Sequence, residues 1–277
     1  MTSTVNAPAT TLDQPPSLDR GFFGHPRGLS TLFFTEMWER FSFYSMLALF
    51  TLYLQNPTEG FGWATNRATK LYALYLALVY FSPLLGGWIA DKKLGYRRSV
   101  MIGGFFFMAG HLLLSFRSIP IMYLALACLV TGNGFFKPNV SAMVGKLYPE
   151  GSHLKDRAYN IFYMGINIGA FLGPVVAEFL VQVLNYHVAF AAAAVGMLFS
   201  VTILWRFKRL IEGADIGRGA FAKKGGTKAV LATVDIPPAV PEHKNPIDAI
   251  PDRRRIGALI VITWRSDEVG ADHPLHR

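Results

Sequence analysis

The sequence predicts an all-α membrane protein, a bundle of six transmembrane helices. Of its 277 residues, 52% are hydrophobic and 16% are charged, whereas soluble domains carry about 25% charged residues. The mean hydropathy is +0.31, and the apolar residues gather into six long stretches. Lysine and arginine concentrate in every second segment that joins these stretches. Together these observations indicate a chain that crosses a bilayer back and forth.

Each predicted helix is near or above the length needed to cross the hydrocarbon core. An α-helix rises about 1.5 Å per residue, so about 20 residues span the roughly 30 Å of a bilayer interior. The predicted bundle covers residues 29–205, and its apolar stretches are 29–54, 69–90, 98–116, 120–147, 158–183 and 188–205.

The segments outside the bundle have a different composition. Residues 1–28 contain Pro, Ser, Thr and Asp but no apolar core of a signal peptide, so we predict a disordered cytoplasmic tail. Residues 206–255 show no periodic pattern of apolar residues, which predicts a cytoplasmic linker. Residues 256–264 are apolar, yet Arg265 ends this run after nine residues, or about 14 Å as a helix. Residues 256–277 therefore predict an aborted seventh helix and an aberrant tail, as in the first half of a longer protein.

The placement of Lys and Arg predicts the orientation, because cytoplasmic segments carry more of both. Twelve lie at one end of the bundle and three at the other. The twelve are Arg20, Arg27, Lys92, Lys93, Arg97, Arg98, Lys146, Lys155, Arg157, Arg206, Lys208 and Arg209, and the three are Arg67, Lys70 and Arg117. We expect a multi-pass protein of a bacterial-type inner or plasma membrane with both ends of the bundle in the cytoplasm. The net charge of +9 then reflects this topology and does not indicate a nucleic-acid partner.

Several classes of enzyme are disfavoured. The single cysteine, Cys128, lies in an apolar stretch and cannot build a disulfide framework or a cysteine-based metal site within one chain. The glycine- and lysine-containing segment 132–139 does not fit a phosphate-binding G-x-x-x-x-G-K-[ST] loop. Neither a G-x-S-x-G elbow nor an H-E-x-x-H motif is present. We therefore expect neither an enzyme nor a bound metal.

Four charged residues lie inside predicted helices. Glu36, Glu39 and Arg40 are in the first helix and Lys137 is in the fourth. Each costs about 2.5 to 3.5 kcal/mol at a helix centre, so we expect these side chains to pair and to face the bundle interior. Their depths are similar, and they lie near a group of polar residues at the level where transporters bind substrate. This group comprises Tyr44, Tyr80, Tyr163 and Asn167.

Two interpretations of these polar groups stay open. In the first, they form the proton and substrate sites of a transporter, and protonation of a carboxylate near Lys137 opens an ion pair. In the second, they are structural pairs and interhelical hydrogen bonds that hold the helices together.

At these residues the sequence resembles a known family. Residues 36–44 read EMWERFSFY and resemble the E-x-x-E-R-F-x-Y-Y signature of the proton-dependent oligopeptide transporter family, a branch of the major facilitator superfamily. Residues 87–97, GWIADKKLGYR, resemble its loop between helices 2 and 3. Residues 132–141, GNGFFKPNVS, and 162–169, FYMGINIG, resemble two further motifs. The four blocks occur in the family's order.

The resemblance implies proton-coupled symport of di-/tripeptides or related small solutes by alternating access, with protons as the coupling ion and no other cofactor. It implies two six-helix bundles, of which this chain is the N-terminal one, a 3+3 inverted repeat without the C-terminal bundle. The implied proton-coupling residues are Glu36, Glu39, Arg40 and Lys137. The implied substrate-binding residues are Tyr44 and Asn167, with Tyr80 and Tyr163 as companions. The implied conformational loop network comprises Asp91, Lys92 and Arg97.

Three features depart from the family's pattern. Phe43 replaces a motif tyrosine, and Leu47 stands where peptide-transporting members commonly carry arginine. The second bundle is missing, so the alternative function is a truncated, non-transporting fragment or scaffold that acts only with a partner chain. That partner is a C-terminal bundle or a second copy. We expect the lone chain to be short-lived or to dimerise, because it leaves polar residues facing lipid or a water-filled cleft. These residues are Glu36, Glu39, Arg40, Lys137, Tyr44 and Asn167.

Overall fold

A computed structural model describes residues 21–149 and 151–215 of the chain. This part contains six long helices, which follow one another with short connections. They are α1 (Arg27–Gln55), α2 (Thr65–Ile89), α3 (Tyr96–Leu114), α4 (Ile119–Lys146), α5 (Leu154–Val183) and α6 (Tyr186–Arg206). Two short segments complete it, a π-helical turn at Ala90–Leu94 after α2 and a 3-10 helix at Lys208–Ala214 after α6.

All six predicted helices are present, and the largest differences lie at two N-terminal ends. α2 begins at Thr65 and α5 at Leu154, each four residues before the predicted start. The first turns of both helices are polar, with Arg67 in α2 and Asp156 in α5. A boundary placed by hydrophobicity therefore misses a turn that extends out of the apolar layer.

Four of the six helices are long and apolar enough to cross a membrane, namely α2 with its π-helical turn, α4, α5 and α6. α1 is long enough, but Glu36, Glu39 and Arg40 in its middle lower its hydropathy. α3 has only 19 residues and contains Arg97 in its first turn. Composition thus confirms four of the six predicted crossings, and packing places α1 and α3 in the same bundle.

The packing of the helices has an internal symmetry. α1 packs against α5 and α6, while α4 packs against α2 and α3. If α1, α2 and α3 are exchanged with α4, α5 and α6 in that order, the contacts of α1 become those of α4. The contacts α3–α6 and α1–α4 are unchanged by this exchange. This confirms the predicted 3+3 inverted repeat, with α1 and α4 adjacent.

Glycines bring the symmetry-related pairs into backbone contact. A Cβ at Gly169 of α5 would overlap the backbone oxygen of Met37 in α1, and a Cβ at Gly86 of α2 would overlap that of Gly134 in α4. Small residues allow this approach in the absence of a hydrophobic driving force between membrane helices. The α1–α5 contact leaves no room between the two backbones at the level of Arg40.

Interactions between connections show which segments share an end of the bundle. Arg117 donates to the backbone oxygen of Pro57 at 3.5 Å, and the backbone N–H of Tyr186 donates to Glu59 at 2.8 Å. These contacts join the α1–α2, α3–α4 and α5–α6 connections. At the opposite end, Nδ1 of His25 lies 2.8 Å from the hydroxyl of Tyr148. The helices therefore alternate in direction, as the Lys and Arg pattern predicts.

Two flanking predictions need correction. The sequence predicts a disordered tail over residues 1–28, but within it Phe22 and His25 exchange backbone hydrogen bonds of 3.2 and 2.8 Å, and α1 begins at Arg27. The first part of the predicted linker also forms the 3-10 helix, in which Ile211 is buried. Both segments are ordered by packing on the bundle, which local composition does not reveal. The predictions for residues 1–20 and 216–277 lie outside the described residues.

The contact of His25 predicts a pH dependence of stability. Burial, and secondly the charge of Arg157, lower the pKa of His25 below its ordinary value of 6.5. As the pH falls through 6.5, the unfolded chain takes up the proton first, so the contribution of neutral His25 is complete above this pH and declines below it. The loss of unfolding temperature between about pH 7.5 and about pH 5.5 should therefore be smaller in His25→Gln than in the wild type.

The control is His153→Gln, because His153 is exposed at the same end of the bundle. This variant should lose as much thermal stability on acidification as the wild type. An equal loss in His25→Gln would show that His25 does not sense pH.

Candidate functional site

Three charged side chains form a buried group on one face of α1, here called the α1 charge cluster. Glu36, Glu39 and Arg40 are 2%, 0% and 4% exposed. The Arg40 Nε lies 3.1 Å from Oε1 of Glu36. Its Nη2 donates to Oε1 of Glu39 at 2.7 Å, and its Nε also contacts Oε2 of Glu39. One guanidinium thus bridges two carboxylates. The i, i+4 spacing predicts its pair with Glu36, whereas Glu39 is its neighbour in the chain.

The α1 charge cluster has one more carboxylate than cations. With both glutamates ionised, its formal charge is negative. Oε2 of Glu36 has no hydrogen-bond partner within the described part of the chain. An unpartnered buried carboxylate oxygen is costly, and a proton can add there without breaking an existing hydrogen bond. The arrangement is chemically suited to bind and release one proton.

Lys137 lies beside Tyr80 and makes no ion pair with any residue that the structure describes. Its Nζ is 5.6 Å from the centroid of the Tyr80 ring, across the α2–α4 contact. In the described part of the chain, Glu36 and Glu39 form ion pairs with Arg40 and with no other residue. The structure therefore differs from the expected ion pair between Lys137 and a glutamate. The physical reason is that Arg40 lies within hydrogen-bond reach of both carboxylates on its own helix, whereas Lys137 lies at Tyr80 across the α2–α4 contact.

The α1 charge cluster lies inside the bundle, and the expectation that it faces lipid or a cleft is wrong. The backbone of α5 covers it, because a Cβ at Gly169 would be 2.9 Å from Cβ of Arg40. The ring of Phe43 lies 5.0 Å from the guanidinium carbon of Arg40. A single six-helix unit therefore buries these charges by itself.

The predicted substrate-binding residues lie at the surface of the bundle. Tyr80 on α2 and Tyr163 on α5 are 72% and 56% exposed. Asn167 on α5 is exposed, and Tyr44 on α1 is half-buried. The structure brings Tyr80 to Lys137 and Tyr44 to the ring of Phe43, at 5.4 Å between centroids. Among the described residues, no hydrogen bond or ring contact joins Tyr80 on α2 to Tyr163 or Asn167 on α5.

The predicted loop network is connected to the segment after α6. Nε of Arg97 lies 3.1 Å from Oδ2 of Asp215, and the backbone N–H of Arg97 donates to Oδ1 of the same residue at 2.8 Å. Glu212 is 3.9 Å from the guanidinium. Nζ of Lys92 lies over the Trp88 ring at 4.6 Å. Asp91 is in no ion pair among the residues that the structure describes.

Sequence reasoning missed several residues around these groups. Asp215 was missed because its partner is more than 100 positions away, and the glycines of α5 were missed although Gly165, Gly169 and Gly173 recur every four residues. His111 is fully buried in α3 and stacks on Phe107 at 13° between ring planes. His111 is thus a packed side chain of the core and adds no group to the α1 charge cluster.

Comparison of sequences finds relatives among transporters. The model of the POT family, PTR2, matches residues 97–234. The chain is 40% identical over 205 residues to the di-/tripeptide transporter of Lactococcus lactis subsp. lactis (strain IL1403), covering 72% of this chain and 41% of that protein. It is 46% identical over 203 residues to the uncharacterized transporter YclF of Bacillus subtilis (strain 168), covering 71% of this chain and 41% of that one.

Comparison of structures gives the same result. The crystal structure of a peptide transporter, POT, in complex with sulfate has a TM-score of 0.69 and 34% sequence identity, and the match covers 94% of this chain and 51% of that one. A POT family transporter in complex with a thioalcohol conjugated peptide has a TM-score of 0.70 and 29% identity, covering 90% and 49%. The chain thus spans about half the length of the solved structures and 41% of the curated relatives.

Proposed function

Because the chain belongs to the POT family of transporters, we propose that it forms the N-terminal bundle of a symporter that couples the uptake of di-/tripeptides, or related small solutes, to protons. The observation that carries the proposal is the α1 charge cluster, with two buried carboxylates against one guanidinium. The relatives support the substrate class, since one is named a di-/tripeptide transporter and a solved structure holds a conjugated peptide. Another solved structure holds 5-aminolevulinic acid, a related small solute.

Proton coupling is assigned to Glu36, Glu39, Arg40 and Lys137. A proton at Oε2 of Glu36 removes the excess negative charge of the cluster and loosens the hold of this carboxylate on Arg40. Lys137 is half-buried and forms no ion pair with a described glutamate, so we assign it as the cation that meets a substrate carboxylate. Proton and substrate then favour the same conformation, which links their binding free energies.

Substrate binding is assigned to Tyr44, Tyr80, Tyr163 and Asn167. Their hydroxyl and amide groups supply the donors and acceptors that a peptide backbone needs. Tyr80 and Lys137 form the part of this group that is already in contact. The loop network is proposed to hold one conformation of the alternating-access cycle, with Arg97 and Asp215 as its ion pair beside Asp91 and Lys92.

The protein is proposed to lie in a bacterial-type inner or plasma membrane with both ends of the bundle in the cytoplasm. Two observations support this orientation: successive connections lie at opposite ends of the bundle, and Lys and Arg are in excess at one end. In a Cys128→Ser background, Thr58→Cys should react with an impermeant thiol reagent in intact cells, whereas Lys93→Cys should react only after permeabilisation. Thr58 and Lys93 are both exposed, and they lie at opposite ends of the bundle. Reaction of Lys93→Cys in intact cells would reverse the orientation.

The proposed function is tested with a chimera that supplies a second bundle. Residues 1–215 of this chain are joined to the C-terminal half of the Lactococcus lactis di-/tripeptide transporter and reconstituted in proteoliposomes. An inward proton gradient should drive dipeptide accumulation, and the C-terminal half alone should give none. A folded chimera without uptake would contradict the proposal. Equal uptake with and without the gradient would show that transport is not coupled to protons.

The alternative, a non-transporting fragment or scaffold, is distinguished by the same assay. The 277-residue chain is reconstituted alone and with the C-terminal half as a separate chain. Uptake only in the second case identifies a bundle that acts with a partner chain. Absence of uptake in both cases, together with an active chimera, identifies a fragment.

A further inference from the structure

A groove runs between α1 and α6 at the end of the bundle that carries His25 and Asp215. Its volume is about 470 Å³. It is lined by Arg27, Ser30, Thr31, Phe34, Ile203, Phe207 and Leu210. None of the predicted proton-coupling or substrate-binding residues belongs to it, and α6 carries none of those residues. The groove is therefore separate from the proposed transport site.

The floor of the groove is apolar and open to the surroundings. Phe34 is 41% exposed and Phe207 is 44% exposed, and Leu210 and Ile203 continue this surface along α6 and the 3-10 helix. In a membrane helix such side chains contact lipid chains. The floor thus accommodates one hydrocarbon chain lying along the helices.

Cations reach the groove through Arg206, whose guanidinium carbon lies 5.5 Å from the centroid of the Phe207 ring that lines it. Arg206, Lys208 and Arg209 are all exposed and, with Trp205, line a second cavity of about 300 Å³, here called the cationic rim. Glu212, the nearest acidic residue in the sequence, points toward Arg97 at 3.9 Å. The three cations therefore surround a concave site at the boundary where tryptophan side chains favour the lipid headgroups.

We propose that the α1–α6 groove and its cationic rim bind one anionic phospholipid, with an acyl chain along Phe34, Ile203 and Phe207 and the phosphate at Arg206, Lys208 and Arg209. Basic pockets beside transmembrane helices bind anionic lipid headgroups, and each Lys or Arg near the surface adds about a fivefold preference. The adjacency of an apolar floor and a cationic rim fits a lipid and not a free phosphate. The inference depends on the membrane location and not on peptide transport.

The test measures lipid binding to the full 277-residue chain in detergent by native mass spectrometry. Phosphatidylglycerol should bind with a preference of at least about tenfold over phosphatidylcholine. The variant Arg206→Gln/Lys208→Gln/Arg209→Gln should lose this preference. The matched control, Lys93→Gln/Arg98→Gln/Lys146→Gln, removes three exposed cations from the same end and should keep it. An equal loss in the control would show a general electrostatic effect and overturn the proposed site.

Two further measurements separate a lipid from other ligands. Ile203→Trp fills the groove without changing its charge and should also weaken phosphatidylglycerol binding by at least about fivefold, the effect of keeping one or two CH₂ groups out of the groove. Glycerol 3-phosphate should not displace the lipid, and displacement would identify a phosphate site without an acyl-chain groove. If a variant fails to fold, a photoreactive phosphatidylglycerol should label residues 203–210 of the wild type, and labelling confined to other helices would refute the proposal.

Discussion

Arg40→Ala should destabilise the bundle by about 3 to 5 kcal/mol, because it leaves two buried carboxylates without their cation. Glu36 and Glu39 are 2% and 0% exposed, and the guanidinium of Arg40 is the cation that contacts both. The backbone of α5 covers this position and keeps water from replacing the lost charge. The variant should show a strongly lowered unfolding temperature in detergent and a low yield from membranes.

Two matched variants identify the cause of this loss. Arg67→Ala removes an exposed arginine at the start of α2 and should cost less than about 1 kcal/mol. Combining Arg40→Ala with Glu36→Gln and Glu39→Gln removes the unpaired charges and should recover much of the stability. An Arg40→Ala protein as stable as Arg67→Ala would show that the α1 charge cluster is hydrated or already neutral.

Lys137→Ala should reduce gradient-driven peptide uptake by the chimera to the level of protein-free liposomes. Lys137 is half-buried beside Tyr80 and holds no ion pair in the described part of the chain, so its removal leaves no carboxylate unpaired. The variant should therefore fold normally, which separates loss of coupling from loss of structure. Counterflow of peptide should persist in part, because exchange requires no net proton movement.

The control for this variant is Lys146→Ala, an exposed lysine at the end of the same helix. It should keep its uptake and its dependence on the proton gradient. Unchanged gradient-driven uptake in Lys137→Ala would remove Lys137 from the coupling role and leave the α1 charge cluster to act without it.

The sequence by itself predicts the six helices and the pairing within α1. Apolar length is a local property, because a helix in hydrocarbon must satisfy all its backbone groups within one continuous segment. The i, i+4 spacing of Glu36 and Arg40 is local as well, since residues four apart are neighbours on the helix surface in any fold that keeps the helix.

Only the tertiary structure shows which groups are covered and which partners meet across helices. α5 covers Arg40 because Gly169 allows two backbones to touch, and Lys137 lies at Tyr80 because α2 packs against α4. Arg97 meets Asp215 across more than 100 positions. These outcomes depend on the relative placement of helices, which small residues determine through close packing and which no single segment encodes.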